Sequence, residues 1–326
     1  MNIQLRWALA LVASVVAPMA AGAALAQSYP AKPVRIIVSA APGGLQDLMA
    51  RGMTPDLSRI WGQPVIVENR VGAGDVLAAS AAAQSPADGH TILFSTSTGM
   101  NVAQFLRRNL PYDAVKAFDP VVGLALTQSL LVVSNKLPAR NVRELVELAR
   151  AKPRALNYGS FGVGSAAHLD GEAFAKAAGV ELTHVPYKGV PALITALIAG
   201  EVDLAFGSLG SSVPPYKQGR LKALAYVGPQ PSRLVPEVPT ITAAGYDFES
   251  VGLLAFYVPV GTPRAVIEKI AADVGQVRDM PAFRDRYIFG NGMEEFGLHG
   301  AALATRLQQS RDNFASRIKG LDLRLD

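Results

Sequence analysis

With half of its 326 residues apolar and only 17% charged, the chain can close more than one hydrophobic core and carries too little charge for a disordered one. The absence of cysteine excludes structural disulfides, thiolate metal sites and a cysteine nucleophile. The formal charge of +5 is mildly basic and its cations are scattered, which gives no nucleic-acid footprint and leaves a weak attraction for small anions.

The N-terminus reads as an address. Arg6 precedes Trp7 to Ala21 without a charge, and Ala24-Leu25-Ala26 then supplies the A-x-A pattern of a secretory signal. The stretch is short and small-residue rich for a membrane anchor, so the expectation is export, cleavage after Ala26 and a soluble mature chain starting at Gln27. No heptad seam or long exposed apolar run is present, so a monomer is expected.

Strand-like and helical runs then alternate, which is the pattern of an α/β chain with mostly parallel sheets. Strands are expected at Val34 to Val38, Val65 to Glu68, Thr91 to Ser95, Leu130 to Val133, Leu156 to Ser160, Leu182 to Val185, Val202 to Phe206 and Leu221 to Tyr226, with a long one over Val251 to Val260. After the first, Pro42-Gly43-Gly44 forces a tight turn before Leu45, Leu48, Met49 and Met53 repeat at helical spacing. The amides of Leu45, Gln46 and Asp47 then stand free at a helix start, an arrangement that suits an anion, although an ordinary βα turn has the same form. Pro55 predicts a break in this helix at Thr54.

Glu68 to Asp75 is the next strand-to-helix turn, and its lone G-x-G lacks the spacing of a dinucleotide loop; no phosphate-binding lysine loop exists either. Ser95 to Gly99 crowds hydroxyls that either bind a ligand or shape a turn. Asn141-Val142-Arg143-Glu144 is a capping box. Asn157 to His168 runs a strand into a second glycine-rich turn and helix, with Ser165 as N-cap and Ser160 nearby. Two such cradles, each opening a separate series of βα units, point to a ligand cleft between two lobes. Thr262 is expected to cap a helix with Pro263 at its first position, and Arg264 to Lys319 reads as mostly helical. The chain crosses between lobes near 122–130 and 248–256.

Catalysis and metal binding find little support. The histidines at 90, 168, 184 and 299 have no metal-ligand spacing and read as surface or turn residues, apart from His168 in the second cradle, where it faces the anion. Gly162-Val163-Gly164-Ser165-Ala166 fails the nucleophile-elbow pattern, and His168 sits on the same helical turn as Ser165. No catalytic residue, metal or cofactor is expected.

Pro42-Gly43-Gly44-x-x-Asp47, Trp61 to Arg70, Leu110-Pro111-Tyr112-Asp113 and His184-Val185-Pro186-Tyr187-Lys188-Gly189 together resemble the solute receptors of tripartite tricarboxylate transporters, also called the Bug family. The likeness continues through Gly219 to Ala225, Val238-Pro239-Thr240 and Gly261-Thr262-Pro263. It implies a two-lobed α/β periplasmic binding protein fold with a hinged central cleft, lobe 1 being residues 27–125 plus 252–326 and lobe 2 residues 126–251. It also implies a small organic carboxylate held between the glycine turns and permease subunits in the membrane as partners. A receptor serving a sensor in place of uptake is the alternative. The implied ligand contacts are Gly43, Gly44, Leu45, Gln46 and Asp47 in one jaw and Ser160, Gly164, Ser165 and His168 in the other, with Ser97 added from the hydroxyl cluster. Three positions depart from the family pattern: Ala40 where an aromatic is common, Leu45 where a hydroxyl is usual, and Gly207 where an acidic residue is frequent. These losses predict a ligand with one carboxylate and an apolar or aromatic body, neither a zwitterion nor a triacid.

Overall fold

The computed structural model describes residues 29–318 except 73–74, 98, 101–102, 107–108, 229, 247 and 249–250. The signal segment and the cleavage site after Ala26 lie outside the described residues.

Each βα unit starts from a short β-branched strand and an amphipathic or small-residue helix. The strands are β1 (Val34–Val38), β2 (Val65–Asn69), β3 (Thr91–Thr96), β4 (Phe118–Ser134), β5 (Asn157–Ser160), β6 (Thr183–Pro186), β7 (Leu204–Ser208), β8 (Leu221–Val227), β9 (Val251–Pro259) and β10 (Glu294–Glu295). The principal helices are α1 (Leu45–Trp61), α2 (Val76–Ala83), α3 (Val142–Ala151), α4 (Ala166–Ala178), α5 (Val190–Ala199), α6 (Leu209–Lys217), α7 (Arg264–Arg278) and α8 (Gly300–Ile318).

The strands pair in the order β2-β1-β3-β9-β4-β7-β5-β6, with β8 and β10 also on β4. Parallel pairing holds within β1, β2 and β3 and within β5, β6 and β7, whereas β4, β8 and β9 run antiparallel to their partners. The sheets are therefore mixed, a correction to the mostly parallel expectation. Long β4 belongs to both halves: β9 pairs with Phe118 to Gln128, then β7 and β8 take over from Ser129. Strand alternation splits the apolar residues between two faces. Ile36, Val38 and Phe94 pack with α1 and α7, and Ile37 and Leu93 pack with α2 and α8. In the second half Leu131 and Val133 meet α3 and α4, while Leu130 and Val132 meet α5 and α6.

Two expected helix boundaries move. α1 runs unbroken through Pro55. The proline ring removes the amide that would donate to Arg51 O, and the Thr54 hydroxyl donates to that carbonyl at 2.9 Å instead, while Met49, Met53 and Leu57 bury on both sides of the site. α7 starts one residue later than expected, with Pro263 as cap, because the Thr262 hydroxyl turns back to Pro259 O at 2.7 Å.

Candidate functional site

The first glycine turn is a tight one in which Gly44 N–H donates to Ala41 O at 2.8 Å. Gly43 has φ +80°, the left-handed value that a type II turn requires of its third residue. The helical ladder of α1 begins with Leu48 N–H donating to Gly44 O, so the amides of Leu45, Gln46 and Asp47 stand outside it. Asp47, 1% exposed, reaches back and accepts from Gly43 N–H at 2.9 Å, from Asn69 Nδ2 at 2.8 Å and from Arg51 Nε at 2.9 Å. Burial raises the Asp47 carboxyl, but the Gly43 amide, Asn69 and Arg51 outweigh it and hold the group below the usual carboxylate range. The Gln46 side-chain amide is likewise engaged, its Nε2 donating to Ser39 Oγ at 3.1 Å and to Phe94 O at 3.4 Å.

The second turn repeats this backbone. Ser165 N–H donates to Gly162 O at 3.1 Å, Gly164 has φ +78°, and α4 begins with Leu169 N–H donating to Ser165 O. Ala166 and Ala167 keep their amides outside the ladder, and His168 N–H reaches Ser165 Oγ at 3.4 Å. The reach-back bond is made by a neutral imidazole: Gly164 N–H donates to His168 Nδ1 at 3.0 Å. His168 is 4% exposed and stacks on His184 with ring centroids 3.9 Å apart, His184 stacks in turn on Tyr158, and the Ser160 hydroxyl lies 2.7 Å from His184 Nε2. Burial pulls His168 down to about 4; burial and then the charge of His168 pull His184 to about 4 as well, against a smaller opposing effect of Glu172.

His168 thus turns its ring into the fold, which corrects its assignment as an anion-facing side chain. His184, expected at a surface or turn, is a packed part of the turn's support. Ser97 is buried and its Oγ accepts from Leu253 N–H at 3.0 Å, tying the end of β3 to β9. Thr96 and Ser95 instead hold Asp75, at 2.7 and 3.5 Å. Asn69, Tyr158 and His184 lie in stretches that the sequence singles out, but their role as supports was missed because it arises only when their side chains meet Asp47, His168 and Ser160 in the fold.

The strand register shows what brings the two turns together. Both follow the C-terminal ends of parallel strands, the edge where open α/β sheets bind ligands. The end of β3 reaches β4 through β9, at Thr96↔Leu254 and Leu254↔Ala125. The end of β7 meets β4 at Ser208↔Ser129. Ala125 and Ser129 lie roughly 13 Å apart along one strand. Both binding edges therefore flank the same short stretch of β4, where it passes from one sheet to the other. Such an edge, with unladdered amides from two helix starts, can stabilise a small anion through backbone donors.

The family model described as the tripartite tricarboxylate transporter family receptor matches residues 49–322. A protein of Pseudomonas sp. (strain P51), encoded in the tcbD-tcbE intergenic region, is 36% identical over 282 residues, covering 86% of this chain and 84% of its own. BugT of Bordetella pertussis is 33% identical over 257 residues, with 78% and 77% covered. Among solved structures, R. palustris Rpa4515 with adipate superposes with a TM-score of 0.82 at 29% identity, over 89% of this chain and 97% of that one. MatC from Rhodopseudomonas palustris with bound malate gives 0.79 at 27% identity, over 89% and 100%. The chain belongs to the receptor family of the tripartite tricarboxylate transporters, the Bug proteins.

Proposed function

We propose that the protein, exported and cleaved after Ala26, acts as a monomeric periplasmic receptor that captures a small organic carboxylate and presents it to the permease subunits of a tripartite transporter, with no reaction of its own. In this reading residues 27–125 with 252–326 form one lobe and 126–251 the other, and they close about the β4 crossing. The carboxylate lies between the amides of Leu45, Gln46 and Asp47 on one side and those of Ala166 and Ala167 on the other, with Gly44, Gly164 and Ser165 shaping the turns through their own internal bonds. Asp47, His168, Ser97 and Ser160 contribute by holding the turns, Gly43 by its positive φ. The observation that carries this reading is the near-identity of the two turns, each ending in a helix start with unladdered amides at the binding edge of its sheet. Adipate in Rpa4515 and malate in MatC support a carboxylate as the ligand.

Closure follows if the ligand favours the closed arrangement differentially. Calorimetry with a panel of mono-, di- and tricarboxylates is expected to find at least one binder, and small-angle scattering at saturation is expected to show compaction. A panel without any binder, or binding without compaction, would overturn the two-jaw receptor.

A further inference from the structure

Gln128 and Ser212 are the buried polar side chains near the β4 crossing that the two turns leave unexplained. Gln128 is 4% exposed and Ser212 fully buried, and among the described residues neither Gln128 Nε2 and Oε1 nor Ser212 Oγ has a hydrogen-bond partner. A buried amide with both ends unpaired is costly, so its retention calls for a partner that arrives from outside the fold. The two side chains share a face. Ser129 directs its hydroxyl to Asp170 of α4 at 2.7 Å, so Gln128, the preceding residue, takes the opposite face with Leu130 and Val132, under α5 and α6. Leu130 pairs with Gly207 on β7, and the hydroxyl of Ser212, from α6, lies 2.2 Å from where a Cβ on Gly207 would be. Gly207 is therefore the residue that lets Ser212 come down onto the sheet opposite Leu130, the next residue after Gln128 on that face.

The pair also sits at a defined reach from the second glycine turn. Ser160 ends β5, β7 is its neighbour and β4 the next strand, and the register sets Ser160 level with Leu131, three residues along β4 from Gln128, so two strand spacings and three residue rises put the two backbones roughly 14 Å apart. Hydrogen-bond contacts at both ends leave room for an acid of about four to six carbons. Charge selects the group at its far end. Of the charged side chains that the register brings beside this stretch, Glu295, opposite Ala125, is paired with Arg284 at 3.8 Å, whereas Glu294, opposite Leu126, joins burial in raising the Tyr226 hydroxyl. A second carboxylate there would be desolvated next to negative charge. An amide with a free donor and a free acceptor matches a group that has both.

We propose that Gln128 and Ser212 form a second subsite, shaped by Gly207, that reads an uncharged hydroxyl or carboxamide at the far end of the bound acid. The inference rests on the receptor reading above and departs from the apolar-bodied ligand expected from sequence.

The test is calorimetry with length-matched acids of four to six carbons that end in methyl, hydroxymethyl, carboxamide or carboxylate. The wild type is expected to bind a hydroxyl- or carboxamide-ended acid at least tenfold more tightly than its methyl- and carboxylate-ended counterparts. Q128L is expected to erase that preference while leaving affinity for the methyl-ended acid within about twofold, and its ligand-free melting temperature should be equal or higher because an unpaired amide is removed. S212A should reduce the same preference and serves if Q128L does not fold. Equal affinity across the end groups, a carboxylate end bound most tightly, or a preference that survives both substitutions would overturn the subsite and leave the receptor standing. If no acid of any kind binds the wild type, the receptor reading itself fails.

Discussion

The two glycine turns have almost the same backbone and different chemistry behind it. Their left-handed glycines have φ +80° and +78°, and their cap residues, Gly44 and Ser165, stand at φ/ψ −71°/162° and −68°/162°. In both, the third helical residue reaches back to the amide of the residue before the cap: Asp47 to Gly43, His168 to Gly164. α3 uses the same device away from the site, with Glu144 Oε2 accepting from Arg140 N–H at 2.9 Å. One turn is locked by a charged carboxylate compensated by Arg51 and Asn69, the other by a neutral imidazole in an aromatic stack. The backbone amides thus hold one shape while the electrostatic background differs. The first turn carries an acid of its own, held chiefly by the Gly43 amide and Asn69 with a smaller share from Arg51, and the second adds no charge.

Breaking the locks should separate the turns most clearly. Asp47→Ala removes a buried carboxylate that accepts charge-assisted hydrogen bonds from the Gly43 amide, Asn69 and Arg51, and is expected to cost about 3 kcal/mol of stability. Arg51 is half exposed, so its share is screened and small. His168→Ala removes one neutral hydrogen bond and part of a stack and should cost about 2 kcal/mol. Urea unfolding of both variants measures the difference; a His168 variant as costly as the Asp47 one would refute the charged-against-neutral contrast.

Gly43→Ala and Gly164→Ala test the shared backbone. Each forces a Cβ into the left-handed region, at about 1 to 2 kcal/mol, and the two costs should agree within a few tenths because the angles do. No heavy atom lies within 4 Å of a Cβ built on Gly43, so its cost is conformational rather than steric. Unequal costs would mean that the turns only look alike.

How far this was visible beforehand follows from where each signal lies in the chain. The turns were legible because β-branched strand, glycine turn and helical spacing are contiguous in sequence, and the reach-back from Asp47 and His168 has a local signature too, a polar side chain four residues after a positive-φ glycine. Most of β4 was not legible: Asp119, Pro120, Gly123 and Thr127 interrupt its apolar run, and its register shifts after Pro120 and Gly123 show how the strand accommodates the second and third of these breaks. Asn69 and His184 belong to recognisable stretches and Gln128 does not, but the role of each emerges only when separate strands meet.

Acid titration separates the turns along the pH axis. His168 and His184 have folded-state values of about 4, below the ordinary 6.5, so the unfolded chain binds more protons in between. Their contribution to stability is complete above about pH 6.5 and is lost as pH falls toward 4. Asp47 is also depressed, but from 3.8, so its contribution persists through that window and is lost only at lower pH. The unfolding midpoint should therefore fall between pH 6.5 and about 5 chiefly through the second turn, before Glu68, Glu144 and Glu237, which are depressed from 4.5, begin to add their own losses. His184→Phe keeps a stacked ring and removes one titration, and should flatten that slope; an unchanged slope would place the titration elsewhere.

The smallest effect is expected where the two turns differ least, at the cap. Gly44 has no side chain to offer, and Ser165 offers a hydroxyl that His168 N–H meets only at 3.4 Å, the long end of a hydrogen bond. Ser165→Gly makes the second cap the chemical equal of the first at a φ and ψ that any residue adopts. Glycine replaces serine at an N-cap for a few tenths of a kcal/mol, and the reach-back bond from His168 is untouched, so stability should change by no more than that. Ligand affinity should follow the same scale if the amides of Ala166 and Ala167 do the holding, because neither depends on the hydroxyl. A loss of tenfold or more in carboxylate affinity, with stability unchanged, would show that the Ser165 hydroxyl itself contacts the ligand and that the second jaw binds through a side chain the first jaw does not have.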